Sequence, residues 1–306
     1  MLIRQLHYFA TLAEEKHFAR AAAVCNVTQP TLSSSIKQLE ENLGVLLVER
    51  GHRFIGFTEE GERVLSWARQ VLADYEGLTQ ELGALRSGLT GRLAISAIPV
   101  ALPAVHILTE PFVEAHPRTT IRVLSQTTAD IQRGLDTFSL DAGITYLDNE
   151  PLARVRTHPL YEEAYFLVTP REDNAGERHT ISWEEAAGLP LCLMTEDMQA
   201  RRILDMHFRE AGAVVRPSFE TSSPLVLMSL LRTGRWSTVL PTTFLPLVDT
   251  VRTLRAIPLV EPEVRHVIGL VLAEREPLRP LAHALLQIAK RHEIAAAFHA
   301  LDKRAL

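Results

Sequence analysis

The sequence predicts an α/β fold with an N-terminal winged helix-turn-helix, a long linker helix and two α/β subdomains. Helical apolar spacing over residues 3–43 is followed by two short strand-like segments, and a heptad repeat then covers residues 64–85. Beyond residue 91, strands alternate with helices, which is typical of α/β domains. At 306 residues, the chain is long enough for two or three domains.

Three helices are predicted before residue 44. Apolar spacing predicts the first over residues 3–15, and the small-residue segment FARAAAV predicts a second that ends near Asn26. For the third helix, Thr28 is a suitable N-cap, Pro30 is tolerated in the first turn and Gly44 is a suitable end. The apolar stripe of this helix is expected to pack into the domain and consists of Leu32, Ile36, Leu39 and Leu43.

The outward face of the third helix is small, polar and almost uncharged, and the segment VLLVERGHRFIGFT after it predicts a hairpin, or wing. Short hydroxyl and amide side chains can meet base edges or phosphates, Pro30 can touch a thymine methyl group, and Lys37 can reach a phosphate. Arginines near the hairpin tip suit minor-groove or phosphate contact. The alternative is that all of these are capping or solvated side chains. The candidate DNA-binding residues are Thr28, Gln29, Pro30, Thr31, Ser33, Ser34, Lys37, Arg50 and Arg53.

A long helix is predicted from residue 59 to about residue 90, with Thr58 as its cap. Its apolar residues are spaced alternately by four and three positions, which is typical of a coiled-coil seam. The sequence offers no adjacent helix to cover this seam, so we expect it to form a homodimer, although packing within one domain is the alternative. The seam residues are Val64, Ala68, Val71, Tyr75, Leu78, Leu82 and Leu85.

From residue 91 the segments GRLAISAIP, TTIRVLSQ and DAGITYL predict strands with helices between them, and the same order restarts at LPLCLMT. The alternation predicts a parallel sheet, and its restart suggests a second α/β unit. A long C-terminal helix is predicted from LAHALLQIAKRHEIAAAFHAL. Ligands of open α/β sheets bind beyond the carboxyl ends of strands. The candidate effector-binding residues at such ends are Ile98, Pro99, Val100, Ser125, Gln126, Thr127, Thr145, Thr195, Thr221 and Ser222.

The chemistry of these strand ends favours a small ligand. Hydroxyl groups and helix N-termini suit a small anion, but the set contains no Arg or Lys. A small carboxylate or a neutral polar molecule is therefore expected rather than a bulky polyanion. The alternative for each hydroxyl is a helix cap.

Composition excludes several other classes of protein. The net charge of −5 argues against a polybasic nucleic-acid coat, although residues 1–57 hold six basic and five acidic groups and leave room for one local DNA-binding face. The two cysteines, Cys25 and Cys192, lie far apart among apolar or small residues and are expected to be buried thiols rather than a redox pair. The spacing of the histidines predicts no metal site, and no cofactor is expected. No apolar run is long enough for a membrane span and no signal peptide is evident, which favours a cytoplasmic protein.

Two other functional classes could suit such a sequence. An enzyme could recruit Ser96 and His106, but the sequence has no nucleophile elbow, dinucleotide-binding loop or phosphate-binding loop. A secreted solute-binding protein would match the two α/β subdomains, but it would need an export signal and would not need residues 1–89. A protein that is neither an enzyme nor a secreted solute-binding protein is therefore expected.

The chain resembles the LysR-type transcriptional regulators. The segment that carries the resemblance most specifically is LIRQLHYFATLAEEKHFARAAAVCNVTQPTLSSSIKQLEENLGVLLVERGHRFIGFTEEGE, residues 2–62. Further similar segments are GRLAISAIPVALP, LDAGITYLDNEPL and ETSSPLVLMSLLRTGRWSTVLP, so the resemblance covers essentially the whole chain.

The resemblance implies a bacterial regulator that binds double-stranded promoter DNA through paired N-terminal domains. It also implies a small-molecule effector held between two subdomains like those of a periplasmic binding protein, with the C-terminal strand and helix returning to the first. The family is usually tetrameric, and RNA polymerase is a further partner that such a regulator could contact. The implied domains are 1–58 for DNA binding, 59–90 for dimerisation and 91–306 for the effector, with subdomain I at about 91–168 and 267–306 and subdomain II at about 169–266.

Three positions depart from the family's pattern. His17 replaces a Ser that commonly caps the second helix, which puts the strength of that cap in doubt. Ser34 replaces a frequent Arg and removes an expected phosphate or guanine contact, so Lys37 and the wing should matter more. Leu47 and Val48 replace a usual Leu-Phe pair before the wing, where the packing is expected to change.

Overall fold

The structure is a computed structural model that describes residues 2–50, 54–171 and 178–302. The chain forms two compact units, residues 1–87 and residues 88–306, each with its own hydrophobic core. Among the described residues, no helix combines the length and apolarity that a bilayer crossing requires.

The first unit contains the predicted winged helix-turn-helix followed by one long helix. Its elements are α1 (Leu2–Glu15), α2 (Phe18–Val24), α3 (Gln29–Leu43), β1 (Val48–Arg50), β2 (Phe54–Phe57) and α4 (Glu59–Ser87). The strands β1 and β2 pair antiparallel and form the wing.

Local side-chain chemistry sets the ends of these helices. The hydroxyl of Thr28 accepts a hydrogen bond from the Thr31 N–H at 3.4 Å, and Gly44 ends α3 in the left-handed conformation at φ 71°. His17 also caps its helix, because its Nδ1 accepts from the N–H groups of Ala19 and Arg20 at 3.2 and 3.4 Å. The imidazole therefore replaces the serine hydroxyl of the family pattern as the acceptor at the start of α2.

The core of the first unit confirms three of the four predicted apolar positions of α3. Leu32, Ile36 and Leu39 are fully buried, but Leu43 is 45% exposed. Leu43 lies in the last turn of α3, and Leu47, which is fully buried after the turn, completes the core in its place.

Glu40, a charged residue on α3, is buried and was not expected from the sequence. Its Oε1 accepts hydrogen bonds from the N–H groups of Leu47 and Val48, at 2.9 and 3.2 Å. One carboxylate thus supplies the acceptor for two buried backbone donors where the chain enters the wing. Leu47 and Val48 themselves pack into the core of the unit.

The predicted seam of α4 divides into two parts. Ala68 is 1% exposed and Val64 is partly buried, and both pack into the core of their own unit, where α1 contacts α4. The prediction that no helix covers the seam was therefore wrong for these two residues, because α1 returns to α4 in three dimensions. The other seam residues are exposed in the single chain and are Val71, Tyr75, Leu78, Leu82 and Leu85.

The second unit begins with a five-stranded sheet in the order β4-β3-β5-β13-β6. Strands β3, β4 and β5 are parallel, as predicted, but β13 pairs antiparallel with both β5 and β6, so the sheet is mixed. The elements that form or flank this sheet are β3 (Gly91–Ala97), a 3₁₀ helix (Pro99–Ala104), α5 (His106–Ala115), β4 (Thr119–Ser125), α6 (Thr128–Asp136), β5 (Ala142–Tyr146), β6 (Val155–Glu163), β13 (His266–Ala273), α11 (Pro280–Ala289) and α12 (His292–Asp302).

The second subdomain has a four-stranded sheet in the order β11-β7-β12-β8 and a parallel pair of β9 with β10. The predicted strands β9 and β10 pair parallel, whereas β7, which was not predicted, pairs antiparallel with β11 and β12. The elements are β7 (Tyr165–Pro170), β8 (Ile181–Ser182), α7 (Trp183–Ala187), β9 (Cys192–Met194), α8 (Gln199–Glu210), β10 (Phe219–Thr221), α9 (Pro224–Leu231), β11 (Thr238–Pro241), a 3₁₀ helix (Thr242–Phe244), α10 (Leu245–Asp249) and β12 (Leu254–Val260).

The chain passes between the two subdomains twice, at Ala164 between β6 and β7 and again between β12 and β13. The first passage lies slightly before the predicted change near residue 168. Three strands were not predicted from the sequence, namely β6, β7 and β12. They connect the two sheets and complete them.

The predicted long C-terminal helix is two helices, so that prediction was wrong. Helix α11 ends where the Lys290 N–H donates to the Leu286 carbonyl, and α12 starts at His292. The break allows Phe298 of α12 to stack on Tyr161 of β6, with ring centroids 5.3 Å apart. The apolar spacing of this segment is continuous, but burial of Phe298 against the sheet edge favours two helices over one.

Candidate functional site

The outward face of α3 is the first candidate site. Thr28, Gln29, Pro30, Thr31, Ser34 and Lys37 are exposed, and Ser33 is half-buried. This placement follows from the apolar stripe, because burial of Leu32, Ile36 and Leu39 turns the small polar residues to the opposite side.

Part of the polar capacity of this face is already used within the helix. The hydroxyls of Thr28 and Thr31 lie 2.8 Å apart, and Ser34 Oγ donates to the Thr31 carbonyl at 3.1 Å. The Lys37 ammonium lies 3.7 Å from the Glu41 carboxylate, and both side chains are well exposed. Such an exposed pair is weak, so the Lys37 charge remains available to a phosphate.

A groove of about 550 Å³ runs beside α3 and is lined by residues of α1 as well. Arg4 and Gln5 line it together with Thr31, Ser34 and Lys37. Arg4 is exposed, and it adds a second cation to a face for which the sequence had assigned only Lys37. The sequence could have indicated Arg4, because this cation lies in the first turn of a predicted helix of the DNA-binding domain, and the basic residues of such domains cluster on one face.

The wing supplies less information about its side chains. Arg50 lies in β1, whose backbone pairs with Phe54 of β2, but its side chain is outside what the structure describes. Arg53 is outside the described residues altogether. The assignment of both arginines to DNA stays a prediction.

The second candidate site lies between the two subdomains of residues 88–306. Thr128 at the start of α6, Thr145 at the end of β5 and Gln199 at the start of α8 meet there, and all three are buried. Gln199 Oε1 accepts from Thr128 Oγ1 at 2.6 Å and lies 3.5 Å from Thr145 Oγ1. Gln199 Nε2 donates to the backbone carbonyl of Asn149 and approaches its Oδ1 at 3.3 Å. The sequence had identified Thr145 but missed Thr128, Asn149 and Gln199.

The remaining predicted effector residues surround the strand ends in different ways. Ile98, Pro99 and Val100 are buried and begin the 3₁₀ helix after β3. The Val100 carbonyl accepts from the Thr243 hydroxyl of the other subdomain at 3.0 Å, so this segment packs across the cleft.

One hydroxyl that was predicted to bind ligand is a helix cap, and another makes a local hydrogen bond. Thr127 caps α6 by accepting from the Asp130 N–H at 3.1 Å, and the Thr221 hydroxyl accepts from the Ser223 N–H at 3.1 Å. Ser125 and Ser222 are exposed. Two buried polar atoms, Gln126 Oε1 and Thr195 Oγ1, have no hydrogen-bond partner among the described residues.

The helix that starts at Gln199 presents an open N-terminus. Its N-cap residue, Met198, makes no side-chain capping bond, and the first turn carries no acidic residue. Helix α6 differs, because Thr127 caps it and Asp130 brings a carboxylate into its first turn. The α8 end of the cleft therefore accepts negative charge or a hydrogen-bond acceptor better than the α6 end does.

A buried group of titratable side chains lies at the passages between the subdomains. Tyr146 donates to the Glu163 carboxyl, and the hydroxyls of Tyr146 and Tyr165 lie 3.4 Å apart. Burial raises the pKa of Glu163 to about 8, against the lowering effect of the bond from Tyr146. Glu163 is thus protonated at neutral pH.

Two histidines lie on the same side of this group. His207 Nε2 and His266 Nε2 are 2.9 Å apart, which requires one ring to donate and the other to accept. The outer nitrogens face Glu210 at 2.9 Å and Asp148 at 3.3 Å. Burial lowers the pKa of His207, which favours its neutral form.

The cysteines show no reactive thiol pair. Cys192 is fully buried in β9, donates to the Ser237 carbonyl at 3.4 Å, and has its pKa raised by burial to about 11. Cys25 is half-buried in the other compact unit. A thiol that resists ionisation is a poor nucleophile, so Cys192 is unsuited to direct oxidation.

Among the described residues, no group of three or more His, Cys, Asp or Glu side chains could hold a metal ion. The two residues considered for an enzyme are engaged separately: Ser96 Oγ donates to the Leu124 carbonyl at 3.3 Å, and His106 Nδ1 lies 2.8 Å from the Pro103 carbonyl. They form no nucleophile and base pair.

Comparison with known proteins identifies both units. The family described as "Bacterial regulatory helix-turn-helix protein, lysR family" matches residues 3–62, and "LysR substrate binding domain" matches residues 86–293. The DNA-binding transcriptional dual regulator OxyR of Escherichia coli K12 is 34% identical over 283 residues, which cover 91% of this chain and 92% of OxyR. A probable hydrogen peroxide-inducible genes activator of Streptomyces viridosporus is 35% identical over 258 residues, covering 83% and 81% of the two chains.

Solved structures agree with this assignment. A full-length cysteine-to-aspartate variant of OxyR from Pseudomonas aeruginosa superimposes with a TM-score of 0.76 at 26% identity, covering 97% of both chains. CbnR in complex with its target DNA shares the fold, with a TM-score of 0.65 at 22% identity, covering 95% of this chain and 99% of CbnR. The matched relatives are transcriptional regulators, and no enzyme family is indicated. The chain therefore belongs to the LysR family and is a DNA-binding transcriptional regulator with an effector-binding domain.

Proposed function

We propose that this regulator binds promoter DNA through α3, the first turn of α1 and the wing, and that a small polar molecule bound between the subdomains controls the binding. The residues proposed for DNA are Thr28, Gln29, Pro30, Thr31, Ser33, Ser34, Lys37, Arg50 and Arg53, with Arg4 added. The part of the proposal that concerns the effector rests on one observation. Thr128, Thr145 and Gln199 meet at the strand ends, where buried polar groups of the two subdomains face each other.

The proposed DNA contacts depend on pairing of the protein. Among the described residues that line the groove beside α3, the cations are Lys37 and, from α1, Arg4, and each phosphate contact contributes modestly. Two tethered domains bind much more tightly, because the second contact becomes effectively intramolecular. We propose that the exposed apolar residues of α4, from Val71 to Leu85, join two chains, and that dimers pair into a tetramer. Such a protein acts in the cytoplasm, where the promoter DNA is, and RNA polymerase is a further proposed partner.

For the effector we propose a small carboxylate or a small neutral polar molecule. The open N-terminus of α8 and the unpartnered hydroxyl of Thr195 support a ligand that accepts hydrogen bonds. The segment Ile98 to Val100, with Ser125, Gln126, Thr127, Thr221 and Ser222, is proposed to form the wall of the same site.

Hydrogen peroxide is the second candidate, because several relatives are named as hydrogen peroxide-inducible genes activators and one solved relative holds the molecule. In this chain, burial and the raised pKa of Cys192 oppose a thiol-based response to peroxide.

Retardation of promoter fragments in gels, with the full chain and a chain lacking residues 1–90, tests the DNA half of the proposal. We expect the full chain to retard promoter DNA and the truncated chain to leave it unshifted. Retardation by the truncated chain would contradict the assignment of DNA binding to the first unit.

Peroxide treatment of the full chain, followed by intact-mass measurement and gel retardation, separates the two effectors. We expect DNA binding to be unchanged by peroxide, and identical in a Cys25→Ser, Cys192→Ser double variant. A peroxide response that the double variant loses would favour a thiol sensor over a bound ligand.

A further inference from the structure

The side chain of Gln199 bridges the two subdomains at the strand ends. It is 2% exposed and extends from α8 of the second subdomain to Thr128 and Thr145 of the first. Its other end holds Asn149, in the loop after β5. One carboxamide thus bonds two hydroxyls and a backbone carbonyl of the opposite subdomain, and the two hydroxyls also lie 3.0 Å from each other.

The chemistry of these contacts is asymmetric. Both hydroxyls meet the Gln199 oxygen, and Thr128 lies at 2.6 Å, so that end of the carboxamide is an acceptor. The other end is a donor, because the backbone carbonyl of Asn149 can only accept. A carboxylate could replace the oxygen but would place a negative oxygen against the Asn149 carbonyl.

From this geometry we propose that Gln199 is an internal occupant of the effector cleft and that the effector carries a primary carboxamide, or an equivalent adjacent acceptor and donor, which replaces it. The proposal rests on the proposed function and narrows its ligand class. A ligand that displaced Gln199 without both groups would leave the Thr128 hydroxyl or the Asn149 carbonyl without the partner that Gln199 supplies, which opposes binding. A ligand with both groups exchanges like for like, while α8 keeps its other bonds to the first subdomain, from Arg202 to Glu150 and between His207 and His266.

Complementation of a truncated side chain tests the proposal in the full-length protein. Gln199→Ala keeps Cβ and removes the methylene and carboxamide beyond it, a fragment of the size of acetamide. Acetamide and acetate are probes of nearly equal size that differ in the donor. We expect acetamide to raise the thermal midpoint of Gln199→Ala and acetate at the same concentration to leave it unchanged, because only a bound ligand stabilises by mass action.

The matched control is Gln132→Ala. The Gln132 carboxamide also bridges backbone groups, donating to the Ala153 carbonyl at 3.1 Å and accepting from the Ala153 N–H at 2.8 Å, but it is only half-buried. We expect neither probe to shift this variant. Equal shifts with both probes, or no shift with acetamide, would overturn the assignment of an acceptor and donor pair.

A second variant keeps the test decisive if Gln199→Ala does not fold. Gln199→Glu retains the acceptor and, when ionised, loses the donor. We expect its thermal midpoint to fall below that of the wild type at pH 7.5 and to recover at lower pH, because a protonated carboxyl can donate to Asn149. A wild-type midpoint at pH 7.5 would overturn the proposal.

Failure of the proposed function has a different signature. Gel retardation of promoter DNA reports on that function whatever Gln199 does. Complementation by acetamide without any DNA binding would refute the regulator mechanism and leave the internal occupant standing, whereas normal DNA binding without complementation would refute only the role of Gln199.

Discussion

Replacement of the buried Glu163 by Gln is expected to remove a large part of the pH dependence of stability. Burial raises the pKa of Glu163 from 4.5 to about 8, so the folded chain retains a proton that the unfolded chain releases. Stability from this group is fully present below pH 4.5 and is lost as the pH rises towards 8. At about 1.4 kcal/mol for each pH unit, ionisation costs on the order of 5 kcal/mol.

The assay is urea unfolding at several values of pH between 5 and 8.5, followed by tryptophan fluorescence. Trp183 reports on this region, because its ring lies 6.0 Å from that of Tyr165, whose hydroxyl is 3.4 Å from that of Tyr146. We expect the wild type to lose about 1.4 kcal/mol for each pH unit between roughly pH 5 and 7.5 relative to Glu163→Gln. Other titrating groups, such as His207 with its lowered pKa, affect the free energy of unfolding of both proteins equally, so their contribution cancels in the difference.

Glu162→Gln is the matched control, since Glu162 is the adjacent residue of β6 and is exposed. Its loss removes the same charge without removing a buried carboxyl, so its pH profile should follow that of the wild type. Parallel profiles for the wild type and Glu163→Gln would refute the conclusion that Glu163 is protonated in the folded protein.

Three further changes test other parts of the structure. Leu82→Glu should convert a dimer to a monomer in sedimentation experiments without unfolding the first unit, because Leu82 is 55% exposed. Ala68→Glu, by contrast, should unfold that unit, because it buries a charge. A Leu82→Glu protein that remains a dimer would contradict the proposed interface. Glu40→Ala should cost about 1–3 kcal/mol in urea unfolding, since two buried N–H groups lose their acceptor, and an unaffected midpoint would show that they find another. Lys37→Ala should weaken promoter binding and lower the salt dependence by about one unit of slope in fluorescence anisotropy. Arg63→Ala, which removes an exposed cation of α4 that pairs with Glu59 and is not among the proposed DNA contacts, should change little.

Local sequence chemistry predicted the N-terminal elements well. Capping by Thr28, termination at Gly44 and the apolar spacing of Leu32, Ile36 and Leu39 depend on residues close together in the chain, and each is found as expected. The prediction failed where contacts are distant. Ala68 has the spacing of a coiled-coil seam, but α1 returns to cover it.

The effector cleft was predicted only in part, for the same reason. Thr145 was found because it ends a strand, and strand ends can be recognised from the order of elements. Gln199 was missed because nothing in its neighbours QARRILD marks it as different from any polar residue at a helix start. Its role depends on Thr128 and Asn149, which lie 71 and 50 residues away in the chain.

Residues close together in the chain account for the winged helix-turn-helix and for the faces of its helices, because periodicity, caps and turns are properties of short segments. The antiparallel pairing of β13, the passages of the chain between the subdomains and the burial of Glu163 beside Tyr146 could not be read from such segments. These depend on side chains far apart in sequence meeting in a medium that excludes water. Burial there, and not residue type, sets whether a carboxyl is charged and whether a glutamine lies in solvent or bridges the two subdomains.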